Sequence, residues 1–102
     1  MTRVIQIQTN TAFSVEFTAN SVSYRMKVYF NTFSDSYYFD LHRLRDLKRV
    51  LSGITLSTGT NLLSQFPHLF KLWIVPTKPE FYASNPTSET IRNYQIWVED
   101  GE

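Results

Sequence analysis

The sequence predicts a small all-β domain, either an antiparallel sandwich or a partly closed barrel, with one or two short helical turns. Its 102 residues suffice for a single domain, which we expect to span residues 1–102. Valine, isoleucine, threonine and the three aromatic types supply 40 residues against three alanines, and these side chains favour pleated strands. Apolar and polar residues also alternate along several segments, as in a strand with one buried face.

Three consecutive segments show this alternation and predict an antiparallel meander. They are residues 12–18, 23–30 and 37–42. A short polar stretch around Asn20 separates the first two, and asparagine can adopt the positive φ that a tight turn requires. The polar loop at residues 31–36 joins the last two.

The second half of the chain predicts two further strands and a long loop. Residues 69–75 are apolar except for Lys71, which fits either a central strand covered on both faces or a strand whose exposed face meets a partner. Residues 94–98 predict a terminal strand. Between them, residues 76–88 hold three of the four prolines and predict a long Pro-rich loop, a feature that is usually functional or else disordered.

The segment at residues 42–51 has apolar side chains at helical spacing. This pattern predicts a helix of about ten residues that Gly53 would end. Farther on, Gly59 permits a tight turn before Asn61, whose side chain is suited to cap one helical turn over residues 62–66.

Composition excludes several classes of site. The chain has no cysteine, which rules out disulfide scaffolds, thiolate zinc sites, iron–sulfur clusters and cysteine nucleophiles. A formal net charge of +1 gives no overall attraction to nucleic acid or anionic lipid. We find no signal-peptide pattern and no apolar run near the roughly 20 residues of a spanning helix, so we expect neither a secretory signal nor a membrane partner.

No arrangement of side chains predicts catalytic, metal-binding or cofactor-binding residues. The two histidines, His42 and His68, lie in different contexts with no motif around either. The carboxylates are scattered singly, which does not favour a metal site, and the glycines match no nucleotide-binding fingerprint. We therefore expect a protein without enzymatic activity and without a cofactor.

Two groups of side chains predict contacts with a protein partner. The chain has sixteen aromatic residues, more than so small a core readily encloses, and aromatic side chains anchor many interfaces. The aromatic candidates lie on the polar phase of their strands or in the long loop, and are Tyr29, Tyr38, Trp97, Phe81 and Tyr82. The basic candidates are Arg43, Arg45, Lys48 and Arg49.

The basic group has two other interpretations. Residues 42–49 contain four cations and one carboxylate, that of Asp46, so the local charge is +3 with His42 neutral. Cations that follow aromatic strands also fit an OB-like module for single-stranded nucleic acid, in which bases stack on rings and phosphates follow the charge. The cations also fit a plain solvated face. The net charge near zero makes nucleic acid the less favoured partner.

The order of these features resembles a known family. The meander and an aromatic strand ending in Asp40-Leu41 precede the stretch Gly-Ile-Thr-Leu-Ser-Thr-Gly-Thr-Asn-Leu-Leu at residues 53–63. A hydrophobic strand, the Pro-rich loop and the strand Tyr-Gln-Ile-Trp-Val at residues 94–98 follow. This order is similar to that of the small baseplate plug proteins of contractile-tailed bacteriophages, of the cyanophage plug type. The most specific part is the Gly-Ile-x-Leu-x-x-Gly-x-(Asp or Asn)-Leu-Leu stretch.

The resemblance implies a structural role in the central hub of a phage baseplate, in contact with hub, tail tube or spike proteins. It implies a protein made in the host cytoplasm and carried in the virion, and it is compatible with a homo-oligomer within the hub. It also implies that residues 44–51 are extended with a turn, so helix and strand both stay open there. Gly53, Gly59 and Asn61 would serve as structural turn residues.

Overall fold

The computed structural model describes residues 2–66, 69–81 and 84–100, which form seven β strands and two short 3-10 turns. The strands are β1 (Thr2–Gln6), β2 (Phe13–Ala19), β3 (Val22–Asn31), β4 (Ser36–Arg43), β5 (Arg49–Thr55), β6 (Phe70–Pro76) and β7 (Tyr94–Asp100), and the turns are η1 (Pro79–Phe81) and η2 (Ile91–Asn93). The strands make two antiparallel sheets that face each other without closing into a barrel. The all-β prediction is confirmed, in its sandwich form.

The predicted meander forms the larger sheet, with strand order β2-β3-β4-β5. Phe17 lies opposite Tyr24, and Val28 lies opposite Phe39. The turn between β2 and β3 has positive φ at both Asn20 and Ser21, at 52° and 66°. Two successive residues with positive φ match the twist of a tight hairpin.

The smaller sheet has the order β1-β7-β6. β7 lies in the centre, and Trp97 is opposite Val4 of β1 on one side and Trp73 of β6 on the other. The sequence analysis did not predict β1. β6 is not a central strand covered on both faces, because Leu72 is buried while Trp73 is partly exposed.

The hydrophobic core lies between the two inner faces. Alternate residues of each strand point inward, since side chains of a strand alternate between its faces. Phe17 and Tyr24 of the larger sheet meet Phe70 of the smaller one, with ring centroids 5.5 and 4.9 Å from Phe70. Full burial of one such apolar side chain contributes about 1.5–3 kcal/mol. Other fully buried side chains include Met26, Tyr37, Phe39, Leu41, Leu72, Ile74, Tyr94, Ile96 and Val98.

Two buried tyrosines connect the core to the loops at one end of the sandwich. The hydroxyl of Tyr37 donates to the carbonyl of Asn10 at 2.7 Å, and that of Tyr94 donates to the carbonyl of Ser84 at 2.9 Å. Burial raises the pKa of both phenols, so both remain neutral donors at physiological pH. Ser84 belongs to the C-terminal half of the long Pro-rich loop, so this bond attaches that half of the loop to the core.

The helix expected at residues 44–51 is not formed. The chain turns after β4, with Leu47 at a φ of 55°, and then forms β5. Leu51 pairs with Leu41 across β4 and β5. Pairing with β4 gives the backbone N–H and C=O groups of β5 hydrogen-bond partners and directs apolar side chains of β5 toward the core. An isolated helix of about ten residues would be only marginally stable. The extended segment with a turn that the resemblance implied is confirmed.

Gly53 does not end a helix. It lies within β5 at a φ of 69°, where the register between β4 and β5 shifts. Its N–H donates to Oδ1 of Asp40 at 2.9 Å. A glycine with positive φ at a shift in register is the mark of a β-bulge, so this residue bends the edge strand.

Asn61 covers the outer edge of β6. Its Oδ1 accepts the N–H of Leu63 at 3.1 Å and that of Leu72 at 3.0 Å, and the N–H of Leu62 donates to the carbonyl of Leu72 at 2.8 Å. Residues 62–65 form a turn rather than a helix. Pro67 and His68, which follow it, lie outside the described residues. One carboxamide oxygen therefore caps the turn and occupies an edge that would otherwise be open to aggregation.

We expect Asn61→Ala to destabilise the fold by about 1–3 kcal/mol, because two partly buried N–H groups lose their acceptor. Thermal unfolding followed by circular dichroism measures the change. Asn61→Asp is the matched control. A carboxylate oxygen can accept both hydrogen bonds, so this variant should keep wild-type stability near neutral pH. Equal melting of the alanine variant and the wild type would contradict this role.

We also expect Gly59→Val to destabilise the fold. Gly59 has a φ of 80°, and a Cβ built there meets nothing within 4 Å. The cost, about 1–2 kcal/mol or more, therefore arises from the backbone conformation and not from a clash. Urea unfolding measures it, with Gly59→Asn as the milder control because asparagine tolerates this conformation. A valine variant as stable as wild type would show that the turn does not require glycine.

Candidate functional site

The structure distributes the predicted contact residues over several surfaces. Tyr29 and Tyr38 lie on the outer face of the larger sheet, and Trp97 lies on the outer face of the smaller sheet. Phe81 is partly buried, with its ring centroid 6.0 Å from that of Tyr94, so it packs against the core. Tyr82 lies outside the described residues. The four basic candidates gather at the β4–β5 turn.

Contacts within the chain hold the tyrosine pair, Tyr29 and Tyr38, in place. Tyr29 and Tyr38 are opposite each other in β3 and β4, with stacked rings 6.2 Å apart. The hydroxyl of Tyr29 donates to Oδ1 of Asp40 at 3.1 Å, and the same oxygen accepts the N–H of Gly53. Desolvation and then the hydrogen bond to Asp40 raise the pKa of Tyr29. The pair thus stabilises the outer face by cross-strand contact, and its use by a partner stays a prediction.

The basic turn, residues 43–49, is ordered by one carboxylate. Oδ2 of Asp46 accepts Nη2 of Arg43 at 3.0 Å, and Oδ1 accepts the N–H of Lys48 at 3.1 Å. The Lys48 N–H, with the Arg43 guanidinium, holds the pKa of Asp46 below its usual range. Within residues 2–66, 69–81 and 84–100, Arg45, Lys48 and Arg49 form no ion pair. These three exposed cations give the turn its positive surface.

An open cleft of about 790 Å³ lies beside the basic turn. Two hairpin ends form it, because the N–H of Leu44 donates to the carbonyl of Ser23 at 3.0 Å. Its walls combine apolar, hydroxyl and charged side chains. They are Ser21, Val22, Ser23, Arg43, Leu44, Arg45 and Asp46. Sequence reasoning missed this cleft because its two halves are some 20 residues apart in the chain.

The smaller sheet carries an apolar row on its outer face, which we call the tryptophan row: Val4, Trp97 and Trp73. Val4 is 51% exposed, and both tryptophans are partly exposed. Nε1 of Trp97 donates to Oε1 of Gln95 at 3.1 Å, and Nε2 of Gln95 donates to Oε1 of Gln6 at 3.2 Å. Sequence reasoning identified Trp97 alone. Val4 and Trp73 join Trp97 only through the pairing of β1, β7 and β6, and the sequence alone did not give that pairing.

The β3–β4 loop carries a residue that sequence reasoning missed. Phe33 is 101% exposed, the largest fraction among the exposed apolar residues of the described chain. Its N–H and that of Ser34 donate to Oδ1 of Asn31 at 2.9 and 3.3 Å. The available signal was a single phenylalanine in an otherwise polar loop. Leu47, in the basic turn, is 63% exposed.

Of the two histidines, the structure describes His42 alone. His42 is partly buried at the end of β4, and its Nδ1 has no hydrogen-bond partner in the described part of the chain. His68 lies outside that part. Among the described residues, no three His, Asp or Glu side chains cluster so as to hold a metal ion.

Across residues 2–66, 69–81 and 84–100, no helix has the length and apolar character needed to cross a membrane.

Comparison with known families gives a match that spans all seven described strands. The family model described as "Cyanophage baseplate Pam3 plug gp18" matches residues 2–100. No curated protein matches the chain. The resemblance carried by the Gly53–Leu63 stretch is thereby confirmed by a match over nearly the whole chain.

Proposed function

This chain belongs to the family of cyanophage baseplate plugs, and we propose that it is a structural component of the central hub of a contractile-tail baseplate. The family match over residues 2–100 is the single observation that carries the proposal. In this role hub, tail tube or spike proteins hold the protein, which is made in the host cytoplasm and carried in the virion. A component of this kind acts through its contact surfaces.

The tryptophan row is the contact surface that we favour. Tryptophan is among the residue types enriched at positions that dominate binding energy, and two tryptophans lie side by side here with Val4. The bond from Trp97 to Gln95 holds one indole in place, which lowers the ordering cost of binding. Lys71 and Glu99, opposite each other in the neighbouring row, provide a charged rim. This arrangement of an apolar centre and a polar rim is typical of protein interfaces.

The basic turn supports a second contact, with an acidic protein surface. Arg45, Lys48 and Arg49 are exposed, and complementary charge orients partners and excludes wrong ones. The OB-like alternative is weakened by the open sandwich, since an OB module is a partly closed barrel. The tyrosine pair and the cations are also separated, because Tyr38 and Arg43 lie five residues apart on β4, about 17 Å.

We expect co-expression with the hub, tail tube and spike proteins of the same virus to give a stable complex by size-exclusion chromatography. The double variant Trp73→Thr, Trp97→Thr should weaken that complex at least about tenfold, because interface tryptophans commonly contribute more than one power of ten in affinity. Threonine retains strand preference, and circular dichroism checks the fold.

The matched control is Tyr29→Thr, Tyr38→Thr, which removes two rings from the opposite outer face and should leave the complex intact. Free monomer with all three partners would overturn the hub role. Loss of the complex in the tyrosine variant alone would instead move the contact to the larger sheet. Tight, steeply salt-dependent binding of single-stranded DNA, abolished when Arg43, Arg45, Lys48 and Arg49 become alanine, would favour the nucleic-acid alternative.

A further inference from the structure

Phe33 has the properties of an interface anchor. Its side chain is 101% exposed, although its loop is ordered by hydrogen bonds to Asn31. Oδ1 of Asp35 also accepts the N–H of Ser88 at 3.2 Å, which connects the loop to the β6–β7 connection. An apolar ring on a fixed backbone loses little conformational freedom when it is buried by a partner. We call residues 31–36 the Phe33 tip.

The cleft beside the basic turn fits such a ring. A cavity of about 150 Å³ is enough to hold benzene, so an open cleft of about 790 Å³ admits a phenyl ring with part of its loop. Val22 and Leu44 supply apolar contact. Arg45, which is exposed, supplies a guanidinium group, and such groups bind favourably over aromatic faces.

The Phe33 tip cannot reach the cleft of its own chain. Asn31 pairs with Ser36 at one end of the β3–β4 hairpin, while Tyr24 pairs with Arg43 at the other. Tyr24 and Asn31 are seven positions apart along an extended strand, a distance of about 24 Å. The tip and the cleft therefore lie at opposite ends of the larger sheet, and only another molecule can bring them together.

The two ends also differ in charge. The basic turn carries four cations against Asp46. The Phe33 tip carries the exposed carboxylate of Asp35, and Glu89 follows Ser88, which is bonded to Asp35. The connection also carries Lys78, Glu80 and Arg92, so its cations and carboxylates balance and Asp35 gives this end a net negative charge. An acidic tip and a basic cleft attract each other between molecules and repel in a tip-to-tip or cleft-to-cleft arrangement.

We propose that copies of this chain associate head to tail, with the Phe33 tip of one copy seated in the cleft beside the basic turn of the next. The interface joins two different patches, so it is heterologous and builds either a closed ring or an open chain. The inference does not rest on the hub role, because it uses only surfaces of this chain.

A mixing experiment with two defective variants tests this arrangement. Phe33→Ser removes the aromatic ring from the Phe33 tip, and Leu44→Glu places a negative charge in the cleft. The wild type should show concentration-dependent association in sedimentation velocity at submillimolar protein, and each variant alone should weaken it at least about tenfold. An equimolar mixture should recover a dimer that grows no further, since one variant keeps an intact cleft and the other an intact tip. Leu47→Asn, an uncharged change in the same turn but outside the cleft lining, is the control and should associate like the wild type.

Engineered cysteines give a second readout that keeps Phe33 and Leu44 in place. The chain has no cysteine, so any disulfide reports the introduced pair alone. Thr32→Cys protein mixed with Ser21→Cys protein should form a mixed disulfide dimer on mild oxidation. As a control, each of these two variants should form a disulfide more slowly with Ser14→Cys protein, whose cysteine lies on the outer face of β2. Raising the salt concentration should slow the reaction.

Three outcomes would overturn the proposal. One is a wild-type chain that stays monomeric at submillimolar concentration with no preferred disulfide. The second is association that neither Phe33→Ser nor Leu44→Glu weakens while both variants melt like the wild type. The third is an equimolar mixture of the two variants that forms no dimer, which would indicate a symmetric interface instead.

Discussion

Burial of the two inner sheet faces against each other is the contact on which the rest of the structure depends. The smaller sheet has three strands, and so few strands need a packed face to be stable. Phe70 provides the central contact, since its ring meets both Phe17 and Tyr24 of the larger sheet. Because strand side chains alternate, every inward residue of the core places its neighbours on an outer face. The tryptophan row exists for this reason: Trp73 and Trp97 lie between buried residues of β6 and β7.

The family motif contributes to this packing at an unprotected edge. Gly59 turns the chain, Thr58 bridges to Ile74, and Asn61 bonds to Leu72. The outer edge of β6 is therefore covered by the chain itself, which hinders pairing with other molecules along that edge. Contacts with partners are then directed to the side chains of the outer faces and to the hairpin ends. These surfaces bear the proposed hub contacts and the proposed self-association.

Sequence reasoning succeeded where the signal was local. Alternation predicted β2, β3 and β4, and the short polar turns between them predicted their antiparallel pairing. The segments at residues 69–75 and 94–98 predicted β6 and β7 within a residue or two at each end. It failed at residues 44–51, because a leucine spacing of three or four residues fits a helix as well as a turn followed by a bulged strand. Pairing with β4 decided between them, and that pairing depends on residues outside the segment. Phe33 was passed over because nothing in a polar loop distinguishes an exposed ring from one folded back onto the core.

The sequence by itself determined the fold class, the faces of β2, β3 and β4 and the absence of cysteine chemistry, because composition and a two-residue period act within each segment. Only the tertiary structure decided which surfaces adjoin. The cleft needs residues 21–23 beside residues 43–46, and the tryptophan row needs the first strand beside the last. Such neighbours are brought together by strand pairing and by the shared core across long stretches of chain, and local alternation carries no information about which strand will lie next to which.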